Sequence, residues 1–285
     1  MDLRVTKMHA LGNNYIYVEE QEVADLHEQF AQLAIDISDV RKGIGSDGMI
    51  LIGPSNVANV RMRVFNADGS EAENCGNGLR CVAKYAYEQK LVSGPSFSIE
   101  TKGGVFAAEV YPNSEGAVER VTVNMGPVRL GTKTIPFSGP SAEGEEVQIQ
   151  TDDLVLRGTV VSVGNPHFVA FVEDAKNTDV ATVGPVVEHH PWFPERINVE
   201  FVTPISRSEL DFRVWERGSG ITYACGTGAC ASVAAGVHKG LLDETVRVHL
   251  LGGDLDIEIR DSQIWMTGEA KHVFSGVYRW HGIHG

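Results

Sequence analysis

Short runs in which apolar and polar residues alternate make up most of this chain. The runs 3–8, 15–18, 60–65, 97–100, 105–111 and 118–123 read as strands, as do 196–202 and 273–280. The unbroken apolar run 49–52 reads as a buried strand. Three segments switch to a period near 3.6. Within residues 21–37, Leu26, Phe30, Leu33, Ala34 and Ile37 predict a surface helix. Leu79, Val82, Ala83, Ala86 and Tyr87 form a second helical stripe, and Cys230, Val233, Ala234, Val237 and Leu241 a third. Residues 185–194, with His189 and His190 between two prolines, read as an irregular connection.

The last two helices share an entrance. Cys75 precedes Gly76-Asn77-Gly78, and 150 residues later Cys225 precedes Gly226-Thr227-Gly228. Other landmarks keep nearly that offset. Gly12-Asn13 answers Gly164-Asn165, each ahead of a β-rich run, and Gly103-Gly104 answers Gly252-Gly253. Phe65-Asn66 lines up with Trp215-Glu216, ten residues before each cysteine. A repeat this long means two similar domains, because solenoid repeats run about 20–50 residues. The Gly-, Pro- and acid-rich stretch from Gly126-Pro127 to Glu146 is the natural boundary, giving domains 1–127 and 128–272. The strand at 273–280 has no counterpart before that boundary.

Each of these cysteines falls at or just before a helix N-terminus, beside backbone N–H groups at the positive end of the helix dipole. Such a place lowers a thiol pKa from about 8.5 toward neutrality. A lone cysteine is more often an inert packing residue, and Cys81 and Cys230, on the helices themselves, read that way. Duplication lifts Cys75 and Cys225 above that reading. If a twofold relation brings the halves face to face, two helix N-termini converge on one cleft and make an anion site suited to a carboxylate. Acid–base groups on opposite sides of the α-carbon are what stereoinversion needs: one thiolate removes a proton and the opposite thiol returns one. Adjacent thiolates repel, so the working pair holds one proton between them. Basicity alone falls short, since a gap of about ten pKa units between thiol and α-hydrogen costs on the order of 14 kcal/mol. Fixed amides and exclusion of water must supply the rest, and glycine at 76 and 226 permits close backbone approach.

Composition narrows the class further. At 285 residues and 42% hydrophobic content the chain can bury two ordinary cores. A formal charge of −14 argues against nucleic-acid and anionic-membrane partners. No apolar run approaches membrane-spanning length, and four cysteines suit a reducing compartment, so a cytoplasmic protein is expected. Gly43-Ile44-Gly45-Ser46-Asp47-Gly48 matches the letter of a dinucleotide fingerprint, yet a helix precedes it and a strand follows, the reverse of the required order. Neither His189-His190 nor the His281/His284 pair has metal-ligand spacing, so no metal is expected. No lysine is singled out for a pyridoxal phosphate Schiff base.

The segments MHALGNNY, GIGSDG, NADGSEAENCGNGLRC, GNPHF, RINVEF and ERGSGITYACGTGAC, in that order from Met8 to about Gly236, resemble the diaminopimelate epimerase family. The resemblance implies an α+β fold of two similar, pseudo-twofold-related domains. Each would be a mixed sheet wrapped around a central helix, with the active site in the cleft between them and the strand in 273–285 returning to the first domain. It also implies cofactor-independent interconversion of LL- and meso-2,6-diaminopimelate, in the supply of lysine and peptidoglycan precursors. By the same resemblance Cys75 and Cys225 would be the acid–base thiols, Cys225 the base and Cys75 the acid in one direction. Gly76, Asn77, Gly226 and Thr227 would hold the reacting carboxylate. Asn13, Asn66, Asn165, Asn198 and Arg217 would bind substrate, with Arg217 on the distal carboxylate. Glu216 would accept from an ammonium, and His167 and Glu216 would tune the thiols. Gly48 stands where some members carry a contacting Gln, Asn14 where Asp is common, and Phe168 where Cys often follows Asn-Pro-His.

Each residue also has a plainer reading. The turn asparagines could serve only local backbone bonds, Glu216 and Arg217 could be a surface ion pair, and His167 a satisfied loop histidine. Their placement around two cysteine loops favours the functional set. A small-molecule substrate is expected, and a homodimer is possible. The nearest enzymatic alternative is a proline racemase or hydroxyproline epimerase, whose small cyclic substrate would not need Arg217. A thiol redox protein, with Cys75 and Cys225 as a switching pair, is the alternative from another class.

Overall fold

The computed structural model describes residues 1–72, 75–140, 146–151 and 155–282. His284, part of the 126–146 boundary and the two residues before Cys75 lie outside them. The chain divides into two units, Met1–Val123 with Gly268–Gly285, and Asn124–Thr267.

In the first unit the strands are β1 (Asp2–Ala10), β2 (Asn13–Glu19), β3 (Gly48–Gly53), β4 (Val60–Asn66), the short β5 (Glu71–Ala72), β6 (Ser96–Thr101), β7 (Gly104–Pro112) and β8 (Val118–Pro127). The C-terminal strand Lys271–Arg279 lies antiparallel to β1, which is antiparallel to β2. From there β2 runs parallel to β3, β3 antiparallel to β4, β4 parallel to β6, and β6–β7–β8 form an antiparallel meander. Strand β3 is buried along nearly its whole length and β2 through Tyr15, Ile16, Tyr17 and Val18, which is why each carries an unbroken apolar run rather than an alternation. One face packs on α1 (Phe30–Ser38) through Leu3, Ile16, Val18, Leu33, Ile37, Met49 and Leu51. Trp280 closes that cluster, its indole N–H donating to Asp36 at 2.7 Å while its backbone N–H bonds Met1. The helix α2 (Gly76–Glu88) buries Leu79, Val82, Ala83 and Ala86 completely, Leu79 and Val82 each contributing about 1.5–3 kcal/mol.

The second unit repeats this order of senses. Its strands are β9 (Arg129–Leu130), β10 (Glu146–Gln150), β11 (Val155–Ser162), β12 (Pro166–Phe171), β13 (Asn198–Ser206), β14 (Glu209–Glu216), β15 (Gly220–Ile221), β16 (Thr245–Leu250), β17 (Gly253–Arg260) and β18 (Gln263–Glu269). The pairings β10–β11–β12 are antiparallel, β12–β13 parallel, β13–β14 antiparallel, β14–β16 parallel, and β16–β17–β18 antiparallel. The topological counterpart of the C-terminal strand is therefore β10, which flanks β11 as Lys271–Arg279 flanks β1. Helix α3 (Val180–Glu188) packs through Val180 and Val187 on one face of the sheet. Helix α4 (Gly226–His238) is buried on nearly all sides, as a helix made of Ala, Cys, Val, Gly and Ser can be.

Three local expectations need correction. Residues 21–37 are not one helix: Glu20–Gln29 is a 3-10 segment broken at Val23 and Leu26, and only Phe30–Ser38 is α-helical. Val23 and Leu26 both turn inward at the i, i+3 spacing that a 3-10 turn brings onto one face. Residues 185–188 belong to α3 although Pro185 removes a helical N–H, because the Asp179 carboxylate caps Thr182 and Gly184 lets the helix lie directly on Trp215. The stripe through Leu241 overshoots: α4 ends at His238, Leu241 is exposed, and Leu242 is the buried anchor, packed against Gly236.

Candidate active site

Cys75 and Cys225 are the N-caps of two helices of equal length, α2 and α4. Each has extended backbone angles, and each sulfur accepts from the third amide of its helix, Gly78 or Gly228, at 3.4 Å. A side-chain acceptor at this position satisfies one of the orphan N–H groups of the first turn. Gly78 and Gly228 both sit close against buried side chains. A Cβ at 78 would sit 2.7 Å from Ile50 and 2.9 Å from Met62, and one at 228 would sit 2.7 Å from Glu200 and 3.1 Å from the Cys225 sulfur.

The asparagine turns that face the two caps are also matched. Gly12 and Gly164 adopt φ of +89° and +88°, a region glycine enters without strain. In the first unit the Asp47 carboxylate accepts from Asn13 Nδ2 at 2.9 Å and from the Asn14 backbone at 2.7 Å. That leaves Asn13 Oδ1 facing Cys75 Sγ at 3.6 Å, as acceptor for the thiol proton. The hydroxyl of Tyr15 also hydrogen-bonds Cys75, and the sulfur's negative charge together with burial pushes the phenol well up.

In the second unit Asn165 Nδ2 donates to Thr227 Oγ1 at 3.2 Å and Asn165 Oδ1 meets His167 Nε2 at 2.9 Å. Cys225 is 4% exposed and lies 3.6 Å from Thr227 Oγ1. Burial raises the Cys225 thiol well above the ordinary range, and the negative charge of Glu216 pushes the same way. Glu216 is itself raised by burial, while hydrogen bonds from Thr222 and Cys225 favour its charged form.

The structure joins Asn13 to Cys75, and joins Asn165, His167, Thr227, Glu216 and Cys225 into one cluster. Asn198 and Arg217 form a separate pair. Asn198 Nδ2 donates to the Pro166 carbonyl at 2.8 Å, its Oδ1 accepts the Arg217 backbone N–H at 2.9 Å, and the Arg217 side chain is exposed and rests on the Glu195 carbonyl at 3.1 Å. Asn66 uses its amide on Ser70 within the following turn. Asn77 is buried and accepts from Arg80 at 2.7 Å, while Gly76 and Gly226 open the first turns. A side chain at Gly48 is excluded, since its Cβ would lie 2.2 Å from the Phe65 carbonyl.

Sequence reasoning missed Tyr15, Asp47, Thr222 and Glu200. For Glu200 a signal was present: one acid inside the apolar run Val199–Val202 is costly unless something meets it.

The fold is shared with a solved structure described as a probable proline racemase from Agrobacterium radiobacter K84, at a TM-score of 0.71 and 14% identity over 99% of this chain and 93% of that one. That likeness establishes a two-unit mixed-sheet architecture and nothing finer. Sequence relatives go further. Diaminopimelate epimerases from Bacillus velezensis and Bacillus subtilis are each 52% identical to this chain over 96% of its length and 98% of theirs. The family pattern described as diaminopimelate epimerase matches residues 5–131 and 159–273. The chain belongs to the diaminopimelate epimerase family, and is an isomerase.

Proposed function

We infer that this protein interconverts LL- and meso-2,6-diaminopimelate by a two-base mechanism in which Cys75 and Cys225 exchange one proton with the substrate's α-carbon. The observation that carries the reading is the pair of cysteines capping equivalent helices, each with its sulfur on the amide row of a first turn. Those amides suit a carboxylate, and the negative charge that grows on it as the α-proton leaves is stabilised by donors already fixed in place. The chemistry requires one sulfur from each unit to reach opposite faces of the same carbon. Asn13 and Tyr15 orient the Cys75 sulfur, and Thr227 and Glu216 orient that of Cys225. Glu216 also suits the substrate ammonium, whose positive charge beside it eases ionisation of Cys225. Arg217, with its guanidinium exposed, suits the distal carboxylate, and Asn66, Asn165 and Asn198 complete the polar lining.

This reading places the enzyme in the cytoplasm, in the synthesis of lysine and cell-wall precursors. Among the described residues no helix is long and apolar enough to cross a membrane. Supplying LL-diaminopimelate and proline separately and following optical rotation tests the substrate. Turnover of diaminopimelate alone is expected, and turnover of proline alone would replace this reading with a racemase acting on a cyclic amino acid.

A further inference from the structure

Glu200 projects from β13 onto the face that carries His167 and the start of α4, and both side chains are wholly buried. Its Oε1 lies 2.7 Å from His167 Nδ1, and its Oε2 has no hydrogen-bond partner. From His167 the contacts run in series: Nε2 to Asn165 Oδ1 at 2.9 Å, Asn165 Nδ2 to Thr227 Oγ1 at 3.2 Å, Thr227 Oγ1 to Cys225 Sγ at 3.6 Å. Glu200 also lies beneath the first turn of α4, within reach of the same Gly228 position as the Cys225 sulfur.

One arrangement of hydrogens serves every link without leaving a charged oxygen unpaired. An ionised Glu200 that takes the Nδ1 hydrogen of a neutral His167 leaves Nε2 bare against Asn165 Oδ1, lone pair to lone pair. Turning the amide over repairs that contact but aims its oxygen at Thr227, whose hydroxyl hydrogen then goes to Asn165 and not to the sulfur. An imidazolium facing a carboxylate keeps the direction but leaves an anionic oxygen dry and unpaired beside a sulfur that must itself become charged. A protonated Glu200 meets none of these objections. Its O–H donates to Nδ1, Nε2–H donates to Asn165, Asn165 donates to Thr227, and Thr227 is left to donate to Cys225.

We propose that Glu200 is a positioning residue that works as a neutral acid, fixing through His167 and Asn165 the direction of a hydrogen-bond chain that ends with Thr227 donating to the Cys225 thiolate. The proposal rests on the role of Cys225 given above. Glu200 keeps its proton throughout, and none travels along the chain. Burial pushes the Glu200 carboxyl up, in the same sense. Among the described residues of this unit, the other ionisable groups around Cys225 are Glu216 on β14, which hydrogen-bonds it, and His167 on β12, which reaches it through Asn165 and Thr227; burial raises Glu216 as well.

The test reads hydrogen position and thiol titration, neither of which needs diaminopimelate turnover. Nitrogen NMR of isotope-labelled protein, with the His167 signal assigned by its loss in H167Q, is expected to show the neutral Nε2–H tautomer at neutral pH. Alkylation of Cys225 by iodoacetamide, followed across pH by peptide mass spectrometry, is expected to keep its midpoint in E200Q, where one neutral donor replaces another. In T227V the midpoint should rise by about one unit, a roughly tenfold loss of rate below it. An Nδ1–H tautomer or an imidazolium in the unaltered protein overturns the proposal, whether or not E200Q folds. So does an E200Q midpoint lower by about a unit, the mark of a buried negative charge removed. If diaminopimelate is not turned over while tautomer and midpoint behave as expected, the function falls and the positioning role of Glu200 stands.

Discussion

The two cysteine turns share their backbone setting and differ in the side chains that surround each sulfur. Both sulfurs accept from the third helical amide at 3.4 Å, and both follow a strand and a short hairpin, β4–β5 in one unit and β14–β15 in the other. Cys75 is half-buried, with an amide oxygen and a phenol hydroxyl beside it. Cys225 is buried, with two carboxyls and a threonine hydroxyl as neighbours. Backbone geometry therefore fixes where each sulfur points, while the neighbouring side chains decide how readily it gives up its proton. For Cys225 burial outweighs the helix terminus: a thiol that an N-cap alone would acidify is pushed up by its dry surroundings and by the charge of Glu216.

The largest effect that would break the symmetry between the turns comes from removing either sulfur. C75A and C225A are each expected to lower epimerisation by about 10³-fold or more, measured by initial rates on LL-diaminopimelate. A variant within about tenfold of the parent would mean one thiol does not act on the α-proton. Next in size is D47A. It removes the carboxylate that gathers Asn13 and Asn14, and is expected to cost about 1.5–3 kcal/mol in urea unfolding. G78A and G228A should each cost about 1–3 kcal/mol of stability, because both new methyl groups collide with packed neighbours. They should differ in reach: G228A also disturbs Glu200 and the Cys225 sulfur and so changes Cys225 alkylation, whereas G78A pushes on Ile50 and Met62. The smallest change sharpens the electrostatic contrast. Glu216 raises the Cys225 thiol, so E216Q removes a negative charge and should shift the alkylation midpoint of Cys225 down by about one unit. An unchanged midpoint would mean that the Glu216 charge has no hold on the proton affinity of Cys225.

Much of this was legible in the sequence because it is local. A cysteine before Gly-x-Gly and an apolar stripe specify a capped helix, and the Leu79–Ala86 face is buried as its spacing requires. The repeat of strand senses follows from the repeat of sequence landmarks. What escaped depends on partners far along the chain. Pro185 reads as a helix breaker until Asp179 and Trp215 are seen to support α3, and Leu241 fits a stripe whose helix has already ended. Asp47 sits in a glycine-rich loop whose pattern drew attention to phosphate binding, yet its carboxylate orients Asn13. Glu200 matters only once His167 is known to lie on the neighbouring parallel strand, its neighbours Asn198 and Val169 paired with His167 and Glu200 respectively.

Solvent deuterium incorporation bears most directly on the claim that two different thiols serve the two faces of one carbon. In deuterated water, stopped at a few per cent conversion, label is expected almost entirely in the inverted diaminopimelate, with recovered substrate still carrying hydrogen. Equal early labelling of product and recovered substrate would mean that a single base serves both faces, and would contradict it.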